Sequence, residues 1–156
     1  MRISVLAVGQ RLPRWVNDGF AVYQQRLPQH MKLELTELPA AQRTSSMSAE
    51  KAMAQEAERI LKQIQPDHHV IVLDEHGKQR SSRELSAEMD QWQQLYPQVS
   101  IVIGGADGLA AEVKQRANQL WSLSKLTLPH GMVRVMLAEQ LYRGWTLIQG
   151  HPYHRD

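Results

Sequence analysis

The chain closes on His-Pro-Tyr-His-Arg-Asp, residues 151–156, directly after a long apolar segment. Chain ends are ordinarily frayed and chemically bland. These six residues instead supply two imidazoles, a phenol and a guanidinium. An imidazole titrates near neutral pH and can take or give a proton. Tyr153 offers a flat ring with a hydroxyl, and Pro152 restricts the backbone before it. His151 and His154 stand three apart, which invites a metal reading, but zinc takes three or four protein ligands. The chain has no cysteine and no HExxH sequence to supply the rest, so no metal is expected. A solvated tail without a role is the plain alternative.

Other groups recur upstream. Gly104-Gly105-Ala106-Asp107-Gly108 follows the apolar run 99–103. Glycines there permit positive φ and close backbone approach, and amides at a following helix start can meet a polar or anionic group. The spacing is neither GxGxxG nor a phosphate loop, so a tight turn explains it equally well. Pro129-His130-Gly131 is a second turn with a titratable group. Leu73 and Asp74, ahead of Gly77, make a third. On the apolar segment 132–149, Arg134, Glu139 and Arg143 stand out. A charge on so apolar a helix must be paired or face a site, and Glu139 can hold Arg143 at the i,i+4 spacing.

Positioning these groups requires a scaffold, and the pattern alternates strand and helix throughout. Residues 2–8, 32–38, 69–74, 99–103 and 123–128 read as strands. Helices are expected after Pro13, over 49–65, after Ser81, near Leu109 and over 132–149. Ser81 with Glu84 forms a capping-box signal. Five such units predict an α/β fold: a mainly parallel sheet with helices on both faces. Ligands of such sheets bind beyond the carboxyl ends of the strands, where Leu73, the glycine loop and His130 all fall. Residues 40–48 read as a polar loop.

With 156 residues the chain is expected to be one domain. Absence of cysteine fits a reducing cytoplasm. No apolar run approaches the ~18 residues of a membrane span, so no membrane partner is expected. Residues 1–45 carry six basic and three acidic side chains, 46–111 six and ten, and 112–156 six and three. Two basic ends that met in space would suit a polyanion; ordinary surface charge is the other reading.

Taken in order, IVIGGADGL, WSLSKLTLPHGMVRVMLAEQLYRGW and the terminal HPYHRD resemble the small bacterial SPOUT-class RNA methyltransferases of the RlmH type, which methylate N3 of a pseudouridine in 23S ribosomal RNA. LAVGQRLPRWVNDGFAVYQQRLP resembles the opening strand and helix of that family, so the likeness covers essentially the whole chain. Ala106 and Lys125 depart from the usual pattern, at a loop position and a contact position respectively. The resemblance implies a single SPOUT domain over 1–156, with a C-terminal trefoil knot that general topology rules would exclude. It implies a cytoplasmic homodimer acting on 23S rRNA in the large subunit or the assembled ribosome. It further implies S-adenosyl-L-methionine as cofactor, held at Leu73, Gly104 and the stretch Leu123, Ser124, Lys125, Leu126, Thr127 and Leu128, with Gly105 beside them.

Losing the N3 proton builds negative charge on the ring between two carbonyls, so the site needs a proton acceptor and cationic or hydrogen-bonding stabilisers. His154 fits the first role and Arg143 the second. Tyr153 fits as a surface for the base, and His130 is the second candidate acceptor. A non-catalytic RNA- or ribosome-binding protein is the rival reading. A nucleotide-dependent dehydrogenase is disfavoured by the absent GxGxxG and second domain.

Overall fold

The computed structural model describes residues 1–153. Its centre is a parallel sheet of five strands: β1 (Arg2–Val8), β2 (Lys32–Leu38), β3 (His69–Gln79), β4 (Gln98–Ile103) and β5 (Gln119–Ser122), in the order β2-β1-β4-β3-β5. Around it lie α1 (Arg14–Gln24), α2 (Ala49–Leu61), α3 (Ser82–Leu95), α4 (Ala111–Arg116) and α5 (His130–Gln149). The expected α/β class and parallel sheet are present.

Strand alternation sorts the side chains into two cores. Ile3, Val5 and Ala7 of β1 point to a face with Phe20, Leu85, Met89 and Leu137, from α1, α3 and α5. Leu6 and Val8 point to the other, with Ala57, Ile60 and Val113 from α2 and α4. The period of two in a parallel strand buried on both faces produces this division. Crossovers toward β2 use the first face and those toward β5 use the second, as a single handedness requires.

Local chemistry sets the helix ends. The Ser81 side chain accepts from Glu84 N–H while Glu84 reaches back to Ser81 N–H, the expected capping box. Ser48 caps α2 by accepting from Lys51 N–H. Gly150, at φ 67°, ends α5 in the left-handed region.

Two strand assignments differ from the sequence expectation. The fifth strand is Gln119–Ser122, and 123–129 is a loop. Ser122 Oγ donates to Ser124 C=O and Ser124 Oγ accepts from Leu126 N–H, which turns the chain out of extended geometry. The third strand continues to Gln79 through residues expected to be a loop, but with an excursion: Leu73 and Lys78 both pair with Trp121. The last helix starts two residues early, at His130, and α4 starts at Ala111 rather than Leu109.

α5 lies between α1 and α3, parallel to both. Gly131 and Gly19 bring it against Val16 and against α1, and Gly144 brings it against Met89 and Ser86 of α3. Ser86 Oγ donates to the Gly144 carbonyl at 2.8 Å. This packing places the start of α5 at the carboxyl edge of the sheet.

Candidate functional site

Arg134 ties that edge together. Its side chain is fully buried. It donates from Nη1 to Glu37 Oε2 at 2.5 Å, from Nη2 to the Gly9 carbonyl at 2.8 Å and from Nε to His130 Nε2 at 3.1 Å. One guanidinium therefore joins the ends of β1 and β2 to the first turn of α5. The expectation that a charge on this helix must be paired is met, and its planar fork fits three acceptors as a lysine could not.

His130 is held from both sides. Nε2 accepts from Arg134, and the other side of the ring lies against the backbone of Gly104. Burial lowers its pKa, the Arg134 charge lowers it further, and the Gly104 backbone and Glu37 oppose the shift. The ring is therefore neutral at pH 7 with its acceptor nitrogen occupied. That arrangement suits orientation of the Gly104 loop better than uptake of a substrate proton.

The glycine loop is folded on itself. Gly105 and Gly108 form a bridge, with Gly108 N–H donating to the Gly105 carbonyl at 3.1 Å, and Gly108 takes φ +82°. Gly105 does not use positive φ. A Cβ there would lie 3.0 Å from Val8 Cγ1 and 3.1 Å from Glu56 Oε1, so its smallness admits protein beneath the loop. Glu56 is a buried carboxylate on α2 that sequence reasoning did not single out. Its Oε2 accepts from Arg43 Nη1 and Ala41 N–H, each at 2.9 Å. Arg43 Nε also donates to Asp107 Oδ2 at 2.8 Å, which latches segment 41–43 to the glycine loop. A lone Glu in a charged helical run gave no sequence signal.

Loop 123–128 completes the edge. Leu73 pairs with Trp121, two residues before Leu123, and Gly104 touches His130, two residues after Leu128. Leu73, Gly104 and both ends of the 123–128 segment are thus gathered at one end of the sheet. Leu126 is 76% exposed.

Arg143 and Tyr153 form a separate cluster. Glu139 Oε1 accepts from Arg143 Nε and from the Tyr153 hydroxyl, both at 2.9 Å. The Arg143 guanidinium lies 5.1 Å from the Tyr153 ring centre, and Tyr142 meets that ring edge-on at 4.7 Å. Tyr153 is thereby docked on α5. Burial, then the Glu139 hydrogen bond and charge, push its phenol up to about 12. It stays protonated at neutral pH and acts as donor and surface. His154 lies outside the described residues. Thirteen residues of α5 separate His130 from Arg143, about 20 Å along the axis, so the structure does not bring these two together.

A cavity of about 310 Å³ lies among the end of β5, the start of α3 and the middle of α5. Ser122 and Leu123 form one wall and Gln140 another. Gln140 Nε2 donates to Glu139 and its Oε1 accepts from Ser82 Oγ, which links the cavity to the Tyr153 cluster. Among the described residues no group of three His, Cys, Asp or Glu could hold a metal, and no helix is long and apolar enough to cross a membrane. Of the basic residues of the amino-terminal stretch, Arg26 meets the carboxyl-terminal one, 5.5 Å from the Tyr142 ring centre. Arg2 and Lys32 flank Glu34 near the amino edge of the sheet, while Arg134 and Arg143 hold carboxylates of their own.

The chain is similar to known proteins over its full length. Residues 1–154 match the family described as "Predicted SPOUT methyltransferase". A protein of Hahella chejuensis, named "Ribosomal RNA large subunit methyltransferase H", is 47% identical over 156 residues and covers all of both chains. A protein of the same name from Pseudomonas putida strain W619 is 44% identical over 155 residues, 99% of this chain and 100% of its own. A solved methylase-family structure from Neisseria gonorrhoeae superposes with a TM-score of 0.51 at 16% identity, over 90% of this chain and 81% of its own, which supports the fold alone. The carboxyl-edge loops, the docked aromatic tail and a family match running from the first residue to the last turn converge: the chain is a methyltransferase and belongs to the SPOUT family.

Proposed function

We propose that the protein methylates N3 of a pseudouridine in 23S rRNA of the large ribosomal subunit, using S-adenosyl-L-methionine. Full-length similarity to proteins named for large-subunit rRNA methylation supports the substrate class. The observation that carries the reading is the convergence of Leu73, Gly104 and loop 123–128 at one sheet edge, with the tail docked on α5 by the Arg143–Tyr153 cluster.

Leu73, Gly104 and residues 123–128 would hold the cofactor, whose sulfonium supplies an electrophilic methyl group. The chain's own residues provide position and charge. Arg134 and His130 fix the loop edges. Tyr153 presents its ring to the base, with its hydroxyl proton donated to Glu139. Arg143, oriented by Glu139, places positive charge where the ring becomes anionic. His154 is the proposed proton acceptor, because both sides of His130 are engaged.

A trefoil knot and a homodimer belong to the same proposal. The excursion of 74–77 beside β5, where Leu73 and Lys78 both pair with Trp121, fits such a chain path. A Cβ on Gly77 would lie 2.5 Å from the Trp121 carbonyl carbon, so the two backbones cross in close contact. Trp15, Val22 and Met132, exposed on the adjacent helices α1 and α5, support pairing of two copies. We place the enzyme in the cytoplasm, with its ribosomal substrate.

Calorimetry with S-adenosylmethionine and NAD, followed by methyl transfer to naked rRNA, large subunits and whole ribosomes, tests the reading. Binding of the first ligand alone and transfer to an rRNA uridine position are expected. Binding of neither ligand, with retained affinity for rRNA, would move the protein to the non-catalytic RNA-binding class.

A further inference from the structure

We propose that Arg26 binds a backbone phosphate of the substrate RNA, beside the target base at Tyr153. This rests on the rRNA methyltransferase reading and adds an RNA contact outside the residues which that reading assigns.

Basic residues are concentrated at both ends of the chain, and Arg26 is where the two ends meet. It follows α1 by two residues and is exposed. Its backbone N–H donates to the Tyr23 carbonyl at 3.1 Å, which closes the turn after the helix. The guanidinium carbon lies 5.6 Å from the Tyr23 ring centre and 5.5 Å from that of Tyr142 on α5. Both contacts are within cation–π range. Tyr142 in turn meets the Tyr153 ring edge-on at 4.7 Å. One tyrosine therefore touches both the guanidinium and the ring offered to the base.

The rings orient this cation but do not neutralise it. Arg2, Arg14, Lys32 and Arg43 of the same stretch are each paired with an acid. Arg26 has no carboxylate in ion-pair range among the described residues. Glu139, the carboxylate of the Tyr153 cluster, is taken by Arg143 and by the Tyr153 hydroxyl. What remains is an unneutralised planar fork of N–H donors on an exposed residue, and that chemistry fits a phosphate, which accepts two such bonds from one guanidinium. The layout is that of a nucleotide. One ring separates Arg26 from the base surface, as one sugar separates a phosphate from its base. A side chain already held by two rings loses less freedom on binding than a free one. Aromatic surface beside a cation that follows the backbone is how single-stranded RNA is gripped.

The test uses the full-length protein and whichever of naked rRNA, large subunits and ribosomes it methylates. Arg26→Gln removes the charge from an exposed position and should leave the fold and S-adenosylmethionine affinity unchanged. KM for the RNA substrate should rise about tenfold, with kcat nearly unchanged. RNA affinity followed from about 50 to 200 mM salt should lose about one unit of log–log slope. Arg26→Lys, which keeps the charge, should recover the slope and part of the KM. Unchanged KM and salt slope in Arg26→Gln would overturn the proposal. A fall in kcat at unchanged KM would make Arg26 a support for the tyrosine rings and overturn it too. Val22, one turn earlier, lies on the face proposed to pair two copies, so sedimentation accompanies the kinetics. A monomeric Arg26→Gln beside a dimeric parent would assign the residue to that contact and overturn the phosphate site. Failure of the methyltransferase reading shows separately, as absence of cofactor binding and of transfer to all three substrates by the unsubstituted protein, and would withdraw this proposal with it.

Discussion

Arg134 Nε donates to His130 Nε2, one turn earlier on the same helix, at 3.1 Å. The same guanidinium holds Glu37 and the Gly9 carbonyl. This single side chain couples two strand ends to the histidine that contacts Gly104. Arg134→Met removes all three hydrogen bonds and leaves Glu37 facing an apolar group. Glu37 keeps some solvent contact, so the cost falls at the lower end for a broken buried pair, about 3 kcal/mol. Urea unfolding should show a lower midpoint with an unchanged slope. A loss below 0.5 kcal/mol, the range of surface substitutions, would refute the coupling.

Acid should destabilise the protein near neutrality. His130, His69 and His68 all have lowered pKa values, with burial the first cause in each. The unfolded state takes up protons at about 6.5, while the folded state holds these rings neutral. Their contribution to stability is present above the unfolded value and is lost as pH falls through the folded values. Melting temperature should drop as pH falls from 7 to 5, and His130→Gln should flatten that slope. A melting temperature that rises over this range contradicts the assignment.

Gly77 and Gly105 separate two uses of glycine. A Cβ at Gly77 would strike the Trp121 backbone at 2.5 Å, and backbone cannot turn aside. Gly77→Ala should cost about 3 kcal/mol, the upper range for overpacking, and slow refolding if the chain threads past β5. At Gly105 the neighbours are the side chains of Val8 and Glu56, at 3.0 and 3.1 Å. Gly105→Ala should be milder. Gly105→Val should disturb the Glu56–Arg43–Asp107 latch and weaken S-adenosylmethionine binding more than tenfold. Calorimetry on the folded variants reads this directly, and unchanged affinity in Gly105→Val would show that the loop does not shape the cofactor site.

The elements most plainly written in the sequence are those fixed by local chemistry. The Ser81–Glu84 box and the Glu139–Arg143 spacing each require only near neighbours, and each is found. What escaped depends on distant partners. QLWS is short and half polar, and it is a strand because β3 pairs with it. LSKLTL has the composition of a strand, but Ser122 and Ser124 bend it into a loop. Glu56 and Arg80 look like ordinary surface charges until α2 and α3 are packed, when Glu56 is buried beneath the glycine loop and Arg80 pairs with Glu88. His130 was legible as a special residue. The contacts that Arg134 and Gly104 make with its ring were not.

The terminal segment provides the sharpest test. Tyr153 is docked by Glu139, Arg143 and Tyr142, so the tail up to that residue is a built surface rather than a loose end. Its phenol, pushed up to about 12, should appear as a late step in an absorbance titration, and Tyr153→Phe should remove that step. Because the folded state favours the proton, this group's contribution to stability is complete below about pH 10, the ordinary tyrosine value, and is lost as pH rises toward 12. Deleting residues 151–156 removes Tyr153 together with the proposed acceptor His154. Tyr153 rests on α5 through Glu139, Arg143 and Tyr142 and meets Tyr23 of α1, away from the glycine loop. Folding and S-adenosylmethionine affinity should therefore persist, while methyl transfer to rRNA falls about 100-fold if a general base is lost. His154→Ala should reproduce most of that loss, and Tyr153→Phe, which retains the ring, a smaller part. Full turnover by the truncated protein would place the proton acceptor elsewhere, and a variant series at His130 would then have to find a free nitrogen on a ring that Arg134 and Gly104 hold from both sides.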